Sequence, residues 1–134
     1  RMNGINRVFL MGYLGNEPEF NRSKIGKPFL KMSVATHYSR RNEDGEKEPA
    51  TTWHRVKVFG KHAENCRDHL HRGSAVAIEG YLSRYSYEKE DGSGSTSVTD
   101  VVAQQVHFLG KKRETYTGQS SGEFPAGPLL DNLN

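Results

Sequence analysis

Cysteine is nearly absent: Cys66 is the only one in 134 residues. One thiol excludes an internal disulfide and a multi-cysteine zinc site. Long apolar runs are missing too. No stretch reaches the roughly 18 residues that a membrane-spanning helix needs. The first residues show no apolar core of a secretory signal. Gly12-Tyr13-Leu14-Gly15 has neither the spacing nor the lysine of a phosphate-cradling loop. No pair of carboxylates stands out as a general acid and base. The hydrophobic fraction is 34% and the mean hydropathy is -0.80. Apolar residues must therefore gather on a few elements to form one core, which this length permits. The expected protein is a cytoplasmic-type domain with no cofactor, no metal and no membrane partner.

Basic residues are absent from the last segment. Residues 114–134 hold Glu114, Glu123 and Asp131 but no Lys or Arg. The segment is rich in Gly, Ser, Thr and Pro and has no apolar period, so a disordered tail is expected there. The whole chain carries +3, yet residues 1–113 set 19 basic against 13 acidic side chains, a net +6. The expected organisation is a basic domain over 1–113 and a tail over 114–134.

Within the domain, apolar residues alternate with a period of two. Asn6–Leu14 puts Val8, Leu10, Gly12 and Leu14 on one face and Arg7, Phe9, Met11 and Tyr13 on the other. Phe29–Tyr38 repeats this with Leu30, Met32, Val34 and Thr36. Ser39–Thr51 is polar and contains Asp44-Gly45, a hairpin-turn signal, so a long mobile β-arm or loop is expected. Thr52–Phe59 is the third expected strand. Lys61–His71 is the one expected helix, with Ala63, Cys66 and Leu70 on a narrow apolar face and Gly73 as its stop. Ser74–Tyr87, bent or bulged at Gly80, and Val98–Leu109 are strands four and five. Glu88–Ser97 forms a second arm between them. The order β-β-β-α-β-β predicts an all-β fold: a five-stranded Greek-key barrel of the oligonucleotide-binding type, the OB-fold, with one helix between strands 3 and 4.

The third strand carries the most chemistry. Trp53, Arg55, Lys57 and Phe59 share one face, and His54, Val56 and Val58 share the other. An aromatic–cation–cation–aromatic row suits single-stranded nucleic acid: rings stack on unpaired bases and cations follow the phosphates. The alternative is that Trp53 and Phe59 pack against another subunit or under a loop. Tyr81, Tyr85 and Tyr87 form a second row, which either stacks on bases or pairs across strands. Tyr87, at the base of an arm, is expected to be the most exposed. Arg40 and Arg41 lie close to His37 and Tyr38, and guanidinium groups both pair phosphates and stack. They could equally be solvated loop charges. The acids Glu43, Asp44, Glu46 and Glu48 would confine contact to the base of that arm. Arg7, Lys61, Arg72 and Arg84 are further candidate backbone contacts. A metal enzyme using His62, Cys66 and His69 at i, i+4, i+7 is a competing reading, weakened because Cys66 is needed for the apolar stripe.

These residues resemble the single-stranded DNA-binding protein family of bacteria and mitochondria. The resemblance is carried by Gly4-Ile5-Asn6-Arg7-Val8, Gly12-Tyr13-Leu14-Gly15, Ser33-Val34-Ala35-Thr36, Thr52-Trp53-His54-Arg55-Val56, Phe59-Gly60-Lys61, Arg72-Gly73-Ser74 and Ile78-Glu79-Gly80. It runs through residues 3–110. It implies a homotetramer that wraps single-stranded DNA without sequence preference in replication, recombination and repair, with no catalysis. By position it implies base stacking by Trp53, Phe59 and Tyr87, and backbone contacts at Arg55, Lys61 and Arg72. Asn6 and His54 match positions near subunit contacts. Arg40 departs from the family, which commonly has an aromatic there; the guanidinium or Tyr38 would then do the stacking. Bacterial members end in acids followed by Ile-Pro-Phe, which recruits replication and repair proteins. The residues Leu129 to Asn134 do not match that tip: either the natural chain carries it beyond Asn134 or the protein lacks that docking peptide, and recruitment of replication and repair proteins stays open. A bacterial, nucleoid-associated location is expected, with mitochondria as the alternative. An RNA-binding or primosome-type OB-fold module is the second functional reading.

Overall fold

Strand alternation decides which side chains enter the core. A computed structural model describes residues 1–111, and the expected tail over 114–134 lies outside the described residues. The strands are β1 (Val8–Leu14), β2 (Glu19–Arg22), β3 (Pro28–Arg41) and β4 (Lys47–Phe59), then β5 (Ser74–Glu88) and β6 (Ser95–Lys111). One helix, α1 (Lys61–His69), falls between β4 and β5. Leu30, Met32 and Val34 of β3, Val56 and Val58 of β4, and Val76 and Ile78 of β5 all point inward and are buried. Leu14, Val101 and Ala103 complete the barrel core, and Ala63, Cys66 and Leu70 cover its end.

The sheet runs β1-β5-β6-β4-β3-β2, and β1 also pairs with β3 through Tyr13–Ala35 and Leu14–Val34. That second pairing closes the barrel and leaves β1 without a free edge there. β4 and β6 run parallel, from Val56–Val101 to Val58–Ala103; the other pairs are antiparallel. This is the expected OB-fold barrel. Close strand approach explains two glycines. A Cβ at Gly12 would strike the Ala35 carbonyl, and one at Gly80 would strike the Val102 carbonyl. The bulge expected at Gly80 is present, as a register shift between Glu79 and Gly80.

Four boundaries differ from the sequence expectation. There are six strands, because the short β2 pairs with the start of β3, so the helix lies between strands 4 and 5. The Ser39–Thr51 arm is a paired hairpin: β3 and β4 stay in register out to Arg41–Lys47. Its turn is held by Asn42, whose Oδ1 accepts from the Asp44 and Glu46 amides at 2.9 Å each. The second arm is likewise shorter, since β5 and β6 pair out to Glu88–Ser95. The helix stops at His69, and Leu70 is already extended (φ -105°, ψ 142°). Gly73 is therefore not its stop. It sits at φ 90° in the turn where the Ser74 amide donates to the His71 carbonyl at 2.9 Å.

Candidate nucleic-acid interface

β4 presents its odd-numbered residues on the outer wall of the barrel. Directly opposite on β3 are Ala35 for Trp53, Ser33 for Arg55, Lys31 for Lys57 and Phe29 for Phe59. Trp53 is 61% exposed and Phe59 50%. Gly15 lies beneath the indole, where any Cβ would overlap its six-membered ring. The turn after β1 therefore makes a seat for a flat aromatic that is open on its other side. Phe59 is steadied by Phe29, with ring centroids 6.2 Å apart and planes tilted by 32°.

Between the two aromatics, Arg55 and Lys57 share one carboxylate that sequence reasoning did not single out. Arg55 Nε donates to Asp100 Oδ1 at 2.9 Å, and Lys57 Nζ lies 3.1 Å from Oδ2. The lysine contact is a charge contact without the geometry of a directed hydrogen bond. Asp100 shares outward parity with Val102 on β6, yet it is only 1% exposed because the two cations roof it. Burial by itself would push the Asp100 carboxyl up. The Arg55 and Lys57 partners outweigh this, and its pKa is held below the ordinary value. Tyr85 extends the cluster, with Lys57 Nζ 5.0 Å from its ring centroid. Beside this cluster Lys31, Ser33, Asn16 and Glu19 help line an open groove of about 220 Å³.

The tyrosine row also faces outward. Tyr85 is 39% and Tyr87 52% exposed, and across β6 they pair with Val98 and Thr96. Ser83, on the same side of β5, lies opposite Asp100, which joins the two rows into one surface. Lys61 begins α1 two residues after Phe59 and is exposed.

Of the other sequence candidates, Tyr38, Arg40 and Arg84 point away from this surface. By alternation, Tyr38 and Arg40 have the parity of the core-facing Val34, so they occupy the opposite face of the β3–β4 hairpin from Trp53. Arg40 Nε is paired with Glu48 at 3.1 Å. Arg84 has the opposite parity to Tyr85 and lies across from Thr99. Arg7 donates to Gln104 Oε1 at 2.6 Å. Arg72 gives its backbone amide to Glu17 Oε2 at 2.8 Å, leaving its side chain exposed. Asn6 spends its side-chain amide within the chain, donating to the Leu82 carbonyl and accepting from the Leu82 amide at 2.9 Å each. His54 Nε2 is 2.9 Å from the Thr36 hydroxyl, and burial lowers its pKa. Among the described residues no three His, Cys, Asp or Glu side chains group as a metal site. Burial pushes the Cys66 thiol up to about 11, so it is neither a ready ligand nor a nucleophile.

The comparisons with known proteins bear on family and fold. Residues 5–109 match the Single-strand binding protein family. The chain is 40% identical over 111 residues to a single-stranded DNA-binding protein of Xanthomonas axonopodis pv. citri, covering 83% of this chain and 61% of that one. It is 36% identical over 122 residues to one from Xylella fastidiosa, covering 91% and 74%. The chain thus spans under two thirds of the Xanthomonas relative. Among solved structures, the fold superposes on the Plasmodium falciparum SSB complex with ssDNA with a TM-score of 0.72 at 23% identity, over 81% of this chain and 98% of that one. A deletion mutant of the Thermus aquaticus single-stranded DNA binding protein gives 0.68 at 29% identity, over 79% and 51%.

Proposed function

Because the chain belongs to the Single-strand binding protein family, we propose that it binds single-stranded DNA, without sequence preference, along the outer row of β4. The observation that carries this is the order Trp53, Arg55, Lys57, Phe59 on one exposed strand face, with both rings half exposed or more. Flat rings accept any base, because every base has a π-face, and the two cations between them meet the phosphates. Tyr87 continues the stacking surface along the β5–β6 hairpin, and Lys61 and Arg72 extend the cationic track. Residues 1–113 are the binding and oligomerisation domain in this reading, and the assembly is a homotetramer. Its role is to hold strands open and protect them in replication, recombination and repair. The step is binding alone: nothing in it requires a bond to be made or broken.

Titration with oligo(dT), followed by Trp53 fluorescence, tests the reading. Trp53 is the sole tryptophan, so the signal reports one site. Emission is expected to be quenched at saturation, and affinity to fall as salt rises, because strand counterions are released on binding. An unchanged Trp53 signal at saturating oligo(dT) would remove the stacking role. Matched RNA oligomers should compete poorly, and a solution mass measurement should give four chains.

A further inference from the structure

We propose that Asp100 is a positioning residue for DNA binding: it holds Arg55 and Lys57 in place between the two stacking rings. The inference rests on the single-stranded DNA reading above. A buried acid beneath a phosphate track is at first sight counterproductive, because it cancels one of the two charges above it. Its geometry gives the reason for its presence. Asp100 takes the Arg55 Nε–H, at 2.9 Å, and not the terminal amino groups. The Nη fork, which pairs phosphate oxygens bidentately, stays available on a side chain that is 60% exposed. Oδ2 meanwhile anchors Lys57, whose side chain is only 24% exposed and leans over Tyr85.

Without an anchor, Arg55 and Lys57 would repel each other and sample many rotamers. Ordering such a side chain on binding costs roughly 0.5–1.5 kcal/mol. Asp100 meets that cost in the folded protein, before DNA arrives. β4 and β6 run parallel here, and the Val56–Val101 and Lys57–Val102 pairs fix Asp100 beside both cations. Ser83 faces it from β5, and Ser33 on β3 lies opposite Arg55, so no second carboxylate competes at those two positions.

Asp100→Asn separates positioning from charge by the sign of its effect. If Asp100 acted only as a negative charge, removing it would tighten oligo(dT) binding and steepen the salt dependence. Positioning requires the reverse: about tenfold weaker binding, the worth of one charge-assisted contact. The log–log salt slope should also become shallower by about 0.7, one phosphate contact on a single strand. Arg55→Lys is the companion variant, since it keeps the charge, sits at an exposed position and lacks the Nε–H. It should lose a similar factor, and combining it with Asp100→Asn should cost little more. Asp100→Glu should restore part of the loss. Binding by Arg55→Lys equal to the unmodified protein, or tighter binding by Asp100→Asn, overturns the proposal. Failure of the unmodified protein to bind oligo(dT) would instead overturn the functional reading itself.

Discussion

Trp53 fills space that Gly15 leaves empty, and this contact ties the stacking surface to the end of β1. Gly15→Ala would place a methyl group inside the indole ring, so the ring must lift or turn. The expected result is a shifted Trp53 emission and weaker oligo(dT) binding, by up to about 1–3 kcal/mol, the value of one stacked base. The barrel should keep its circular dichroism. Wild-type affinity in this variant would show that the indole's seat is irrelevant to binding. Trp53→Ala with Phe59→Ala should cost about 2–6 kcal/mol if each ring stacks one base. The β4 row was legible in the sequence because a period of two sorts neighbours onto faces without any tertiary knowledge. Asp100 was not. Its partner Arg55 lies 45 positions away, and a lone acid among strand residues carries no local sign of burial. Nothing local marked Gly15 as the seat of an indole, since the ring above it arrives from another strand.

At the scale of elements, α1 is a nine-residue plug over the barrel end, with Ala63 and Cys66 buried. Cys66 behaves there as a small apolar side chain. A thiol reagent at pH 8 should leave it unmodified in the native protein and react fully in denaturant. Rapid native labelling would contradict a thiol whose pKa is pushed up to about 11. Cys66→Ser should lower stability by about 1–3 kcal/mol, because it buries a hydroxyl with no arranged partner. The helix is tied to β2 through Phe20, whose ring lies 4.5 Å from the Arg67 guanidinium and 5.6 Å from that of Arg22. β2 itself was illegible. Glu19-Phe20-Asn21-Arg22 has one apolar residue, and only its pairing with Phe29 to Lys31 and Pro28 makes it a strand. The Asp44-Gly45 turn was legible, but not how far the strands of either arm pair. Polar strand ends such as Arg40-Arg41 and Glu46 to Glu48 lack the apolar alternation that marks a strand, and hydrogen bonds to a partner strand hold them.

For the whole molecule, folding places His54 and Asp100 where burial and partners change their proton affinity, and acid should lower stability in two stages. His54 is partly buried on β4, and desolvation lowers its pKa below 6.5. The unfolded chain then binds this proton more readily than the folded one, so stability is complete above about pH 6.5 and falls below it. Asp100 follows at lower pH. Its carboxylate form is held by Arg55 and Lys57, so its contribution is present above about pH 3.8 and is lost as the folded group is protonated. Glu17 adds to the same low-pH stage, because the Arg72 amide lowers its pKa as well. Melting temperature followed from pH 8 to pH 2 should show both declines. His54→Gln should erase the first and leave the second, and Asp100→Asn should weaken the second and leave the first. A first decline that persists in His54→Gln would mean another group drives it. Loss of both in Asp100→Asn would mean that the cation cluster and the Thr36–His54 pair melt as one unit, although Asp100 lies on β6 and His54 on the core-facing side of β4.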